Sequence, residues 1–202
     1  MSGTDGAVEV LSVDGDDVTV DIVNPDGSRA EMSGNGTRIA AAWLMRRTGS
    51  ARAWVHVGER AVKVRRVEDG LYESELGPVE VGPRELVDGI ELTPVTVGNP
   101  HAVVVGYPGR IEELGPRLEA HPRFPERTNV QVARVERTGE VSARVWERGV
   151  GETAASGTSA VAVAAATHGE GEVLVHFPGG DLRVRLADGR AWLTGPAEPL
   201  EE

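Results

Sequence analysis

Apolar and polar residues alternate with period two along most of this chain. Residues 7–13 and 18–23 alternate on either side of Asp14-Gly15-Asp16-Asp17 and read as a hairpin. Asn24-Pro25-Asp26-Gly27 forms a second turn. Further strands are expected at 53–57, 61–67, 71–75, 95–97, 102–105, 128–135 and 141–147, with a closing meander at 173–177, 182–186 and 191–193. The period changes in three places. Residues 37–47 (TRIAAAWLMRR) are apolar on most sides, which predicts a buried helix; Arg46, Arg47 and Gly49 mark its end. Residues 111–121 read as a surface helix. Residues 157–168 form a second buried helix, rich in Ala and Val and ended by Gly169.

Many short strands around two buried helices predict an α+β fold, each lobe a curved, mainly antiparallel sheet around one central helix. Gly77-Pro78 through Gly82-Pro83 reads as the crossing, giving an N-terminal lobe over 1–80 and a C-terminal lobe over 81–202. The halves repeat one another. The strand at 18–24 ends in Asn24, and nine residues later comes Ser33-Gly34 before a helix. The strand at 141–147 ends in Glu147, and nine residues later comes Ser156-Gly157 before the other helix. Such a repeat predicts pseudo-symmetric lobes with corresponding helix N-termini.

At 202 residues and 40% hydrophobic content the chain holds enough apolar mass for a substantial core. Aromatics are only 4%, so that core must be mostly aliphatic. The net charge of −11 argues against nucleic acid or an anionic membrane as partner. There is no Cys, which excludes disulfides and thiolate metal sites. No metal-ligand spacing, P-loop or dinucleotide fingerprint occurs, and no apolar run has membrane-spanning length. The opening residues lack the basic and apolar regions of a secretory signal, so a cytoplasmic location is expected.

The candidate chemistry sits at the two helix starts. Ser33 and Ser156 stand where N-caps belong, and capping alone is the simplest account of each. Their recurrence points further, because Gly34, Gly36 and Gly157 leave backbone N–H groups bare where a carboxylate or phosphate can bind. Asn99-Pro100-His101 after Gly98, and Thr128-Asn129, read singly as turn and strand-start chemistry. Glu147-Arg148 reads singly as an exposed ion pair of little value. His56, His121, His168 and His176 show no ligand spacing and read as structural or solvated.

Taken together, four segments resemble the diaminopimelate epimerase family. They are residues 24–38 (NPDGSRAEMSGNGTR), Gly98-Asn99-Pro100-His101, Arg127-Thr128-Asn129-Val130, and residues 146–158 (WERGVGETAASGT). The resemblance covers most of the chain. It implies two pseudo-symmetric lobes and a cofactor-independent (PLP-independent) isomerase that interconverts LL- and meso-diaminopimelate, a lysine and cell-wall precursor. In that family one thiolate removes the α-proton and a thiol on the opposite face returns one. By resemblance, Ser33 and Ser156 occupy the two catalytic Cys positions. Asn24, Asn99, Asn129, Glu147 and Arg148 occupy positions that hold the substrate's distal amino-acid end. Gly34, Asn35, Gly157 and Thr158 occupy the helix starts that hold the reacting carboxylate. No metal or cofactor is implied.

The chain departs from the family pattern in two main ways. Both Cys positions are Ser, and no His or Lys stands in either motif to take a hydroxyl proton, so family-style epimerisation is expected to be very slow or absent. The family's opening segment has no counterpart, so the first lobe is expected to be shortened; its open sheet edges favour a homodimer. Ser159 replaces a usual Gly. Three functions stay open: an epimerase by descent, a silent amino-acid-binding homologue, and a dehydratase or isomerase of the same fold, for which Glu31 and Glu152 are the nearby acids.

Overall fold

Turn chemistry and strand alternation build each of two units separately, as seen in a computed structural model that describes residues 6–23, 27, 29 and 33–197. The first unit comprises Met1–Glu75 with Thr194–Glu202. Strand β1 (Ala7–Asp14) turns through Gly15 at φ 58 into β2 (Asp17–Val23). Helix α1 (Gly34–Thr48) follows, then β3 (Arg52–Val57), β4 (Arg60–Glu68) and β5 (Leu71–Pro78), the last belonging to this unit through Glu75. β2 and β3 are parallel neighbours joined across α1, and the other pairings are antiparallel. α1 buries Ala40, Ala41, Leu44 and Met45 against Val18, Val20, Val55 and Val64. Each fully buried Leu or Val contributes about 1.5–3 kcal/mol. The returning tail is tied here by Ala197 N–H to Gly70 O at 3.1 Å.

The second unit is Leu76–Leu193. Two short strands, β6 (Glu80–Val81) and β7 (Glu85–Val87), pair with β8 (Ile90–Thr96). After β9 (Pro100–Val105), a 3-10 turn at Pro108–Arg110 opens α2 (Ile111–Glu119). Then come β10 (Asn129–Arg137), β11 (Glu140–Glu147), the short β12 (Gly151–Thr153) and α3 (Gly157–His168). β13 (Gly171–Phe177), β14 (Gly180–Ala187) and β15 (Arg190–Pro196) complete the order. β9 with β10 and β11 with β13 pair in parallel, whereas β8 with β9, β10 with β11 and β13 with β14 pair antiparallel. α3 is buried along most of its length and packs on β8, β9, β10, β11, β13 and β14.

Each unit is thus a sheet around a central helix, and the fold is α+β. Its hairpin, buried helix and antiparallel strands recur: β1, β2, α1, β3 and β4 in the first unit, and β10, β11, α3, β13 and β14 in the second. α2 is less of a surface helix than its sequence implies. Ile111, Leu114 and Leu118 are all fully buried, and they line a cluster with Val130 and Val132.

Candidate functional site

In the first unit the site is a helix start. Ser33 has the extended backbone of an N-cap, and its Oγ accepts the Gly36 N–H at 3.1 Å. Thr37 locks the same turn, its hydroxyl donating to Ser33 O at 3.0 Å. Gly36 is required there, since a Cβ would lie 2.7 Å from Ile22 Cδ1 on β2. Gly34 is buried and Asn35 is exposed. Asn35 Oδ1 accepts a hydrogen bond from the Arg38 guanidinium. Asn24 and Glu31 lie outside the described residues.

In the second unit strand register does the assembling. Parallel pairing sets Asn129 beside His101, and antiparallel pairing sets Val130 beside Trp146. The starts of β9 and β10 and the end of β11 therefore share one edge. That edge brings Asn99, His101, Asn129, Gln131, Glu147 and Arg148 into one row.

Hydrogen bonds then fix their orientation. Asn129 braces the row, donating from Nδ2 to Pro100 O at 2.9 Å and accepting the Arg148 N–H at 3.0 Å. His101 is 1% exposed, and burial holds its pKa down at about 3, so the ring is neutral. Gln131 Nε2 donates to His101 Nδ1 at 3.0 Å, so the protonated nitrogen is Nε2, which faces Asn99 Oδ1 at 2.8 Å. Asn99 consequently presents its amide N–H groups away from His101. The same Gln131 nitrogen reaches Ser159 Oγ at 2.9 Å, which ties the row to the first turn of α3.

Ser156 differs from Ser33. It is 8% exposed with N-cap backbone geometry, yet its side chain makes no capping bond. Capping therefore explains Ser33 and does not explain Ser156. Glu147 and Arg148 do not pair with each other. Glu147 Oε1 accepts the Thr153 hydroxyl at 2.5 Å, and Arg148 donates to Glu126 O at 3.1 Å. Beneath this turn lies Glu119, 5% exposed at the end of α2. Its carboxylate accepts Trp146 Nε1–H at 2.7 Å and Gly149 N–H at 2.6 Å, and it pairs with Arg127.

The family model for diaminopimelate epimerase matches residues 93–199, which include this whole second row and α3. The diaminopimelate epimerase of Desulforudis audaxviator is 39% identical over 229 aligned residues, covering 98% of this chain and 82% of that protein. The chain belongs to the diaminopimelate epimerase family.

Solved structures agree at the level of fold. A predicted epimerase from Pseudomonas aeruginosa superposes with a TM-score of 0.70 at 19% identity, covering 99% of this chain and 86% of that one. A hydroxyproline epimerase from Agrobacterium vitis does so at 0.65 and 15%, covering 95% and 71%.

Within the family frame, the positions resembling substrate-binding residues in the second unit are gathered by the β9–β10–β11 register and by Gln131. Ser33, Gly34 and Asn35 are gathered by the N-terminal turn of α1. Sequence reasoning missed Glu119, Gln131 and Arg38. Glu119 carried no local signal, because its partners Trp146 and Gly149 lie far along the chain. Gln131 falls two residues after Asn129 and so shares its strand face, which was the available clue. Glu152 pairs with Arg144 at 2.6 Å, so this acid is already engaged.

Proposed function

We propose that this protein binds diaminopimelate in the family manner and epimerises it very slowly or not at all. The observation that carries this reading is a row with fixed amide and guanidinium orientations in the second unit, together with a helix start in each unit whose reacting position bears a hydroxyl. An alcohol is a far weaker acid than a thiol, and a helix N-terminus lowers a thiol into working range from a much nearer starting point. No imidazole or amine is hydrogen-bonded to Ser33 or Ser156 among the described residues. His101, linked to α3 through Gln131, is held neutral and its Nδ1 lone pair is occupied.

In this reading Asn99 and Arg148 hold the distal amino-acid end, braced by Asn129, with Glu147 beside them and Asn24 completing the set. Gly34, Asn35, Gly157 and Thr158 offer backbone and amide N–H groups to carboxylate. The substrate is the lysine and cell-wall precursor, met in the cytoplasm and without a cofactor. A homodimer is part of the proposal. Among the described residues β1 pairs only with β2, and Val10, Leu11 and Val13 on it are exposed, giving a second copy an apolar edge. Among the described residues no helix is long and apolar enough to cross a membrane.

Calorimetry with LL- and meso-diaminopimelate tests the reading. Binding should weaken about tenfold or more in Arg148→Met, the worth of a charged hydrogen bond. No binding of either isomer at millimolar concentration would overturn it.

A further inference from the structure

Arg38 is the polar group that the site does not absorb. It is 2% exposed, in the second turn of α1. Helical side chains point back toward the N-terminus, which brings its guanidinium alongside the first turn and onto Asn35. Among the described residues its other hydrogen bond is weak, Nε to Pro196 O at 3.5 Å, and its buried NH1 has no partner. Burial pulls its pKa to about 10, which leaves it cationic at neutral pH.

No carboxylate pairs with it among the described residues. On the strands of this unit, Asp21 pairs with Arg29, Asp17 with His56, Arg52 with Asp16, and Arg65 with Glu73. Arg46 donates to Ala197 O, and Arg47 stacks on Trp43.

A buried cation without a counter-charge is costly, and a helix start is a poor place for one, because the backbone there is already positive. A purely structural residue would be better as Leu or Met. The repeat makes that comparison within the chain. Five residues after Ser33 stands Arg38, and five after Ser156 stands fully buried Val161. At the second start the buried polar groups include Ser156, Ser159, Gln131 and neutral His101.

We infer that Arg38 is a positioning residue that makes the two helix starts electrostatically unequal: its buried charge favours an anion at the Ser33 end, and its bond to Asn35 turns that amide's N–H groups toward the ligand. The inference rests on the reading of Ser33 as a reacting position. The ligand carboxylate then supplies the counter-charge that the described residues do not.

The absence of Cys allows a test that needs no ligand. Ser33→Cys and Ser156→Cys each create a single thiol, titrated by the ultraviolet absorbance of its thiolate. The Ser33→Cys thiol should titrate about one pH unit below the Ser156→Cys thiol. Adding Arg38→Met should raise it by about that amount, and Arg38→Lys should retain most of the lowering. Arg38→Met should melt no lower than its parent, since replacing a buried charge with an apolar side chain is commonly neutral or stabilising. Should it fail to fold, Arg38→Gln serves in its place, with the same expected rise. Equal titration of the two thiols, or a Ser33→Cys thiol unmoved by a folded Arg38→Met or Arg38→Gln, would overturn the inference. Shifts as expected in a protein that binds no diaminopimelate would instead overturn the functional reading alone.

Discussion

Glu119 supports the Glu147-Arg148 turn from below, and removing its carboxylate should loosen that turn measurably. In Glu119→Ala, Trp146 Nε1–H and Gly149 N–H lose charged acceptors at 2.7 and 2.6 Å. Each such bond contributes about 1.5–3 kcal/mol. Gly149 is exposed, so water recovers part of its share, and the half-exposed Arg127 pair adds under about 1 kcal/mol. Relief from burying a carboxylate offsets some of the loss. The net cost should be about 3 kcal/mol, which lowers the melting temperature of a chain this size by about 6–12 °C. Glu119→Gln keeps one acceptor oxygen and should fall between. Thermal unfolding, with amide exchange at Gly149, reads both effects. A Glu119→Ala protein melting within about 1 °C of the parent, with Gly149 still protected, would refute the account of this turn.

The two serines should separate in stability: Ser33→Ala loses a cap and about 1 kcal/mol, whereas Ser156→Ala should change stability by less than half that, as denaturant midpoints would register. Equal losses would contradict their different geometries. His101 should make the fold acid-sensitive. Its folded pKa of about 3 lies below the ordinary 6.5, so the unfolded chain binds a proton that the folded chain refuses. Its contribution is therefore fully present above pH 6.5 and is lost as the pH falls from there toward 3. Between pH 6.5 and 5 that loss is about 2 kcal/mol, and His101→Gln should flatten the stability slope by as much. An unchanged slope would count against the buried neutral imidazole.

Local signals carried much of the fold. The bounds of α3 follow from Ser156-Gly157 and Gly169, and the β1–β2 hairpin from Asp14 through Asp17. α1 begins at Gly34, earlier than its apolar run, because Gly34 and Gly36 are poor helix formers in isolation. Only packing of Gly36 on Ile22 selects them. β8 begins at Ile90 rather than 95, since Pro94 makes that stretch read as a break. The apolar spacing of Ile111, Leu114 and Leu118 held the clue that α2 is half-buried. Asn99, Asn129 and Glu147 looked like separate turn and strand-end residues, and register alone brings them together. Glu119, Gln131 and Arg38 act through partners fixed by tertiary structure. The return of Thr194 through Ala197 to the first unit likewise has no signature in its own residues.

The proposed function joins a retained recognition frame to proton transfer silenced by hydroxyls. It is tested most directly by exchange of the α-proton of LL-diaminopimelate in deuterated water, followed by NMR, with the parent protein beside Ser33→Cys/Ser156→Cys. The account predicts no exchange above the uncatalysed rate in the parent and clear exchange in the double variant. Rapid exchange in the parent, or none in a folded double variant that binds the substrate, would contradict it.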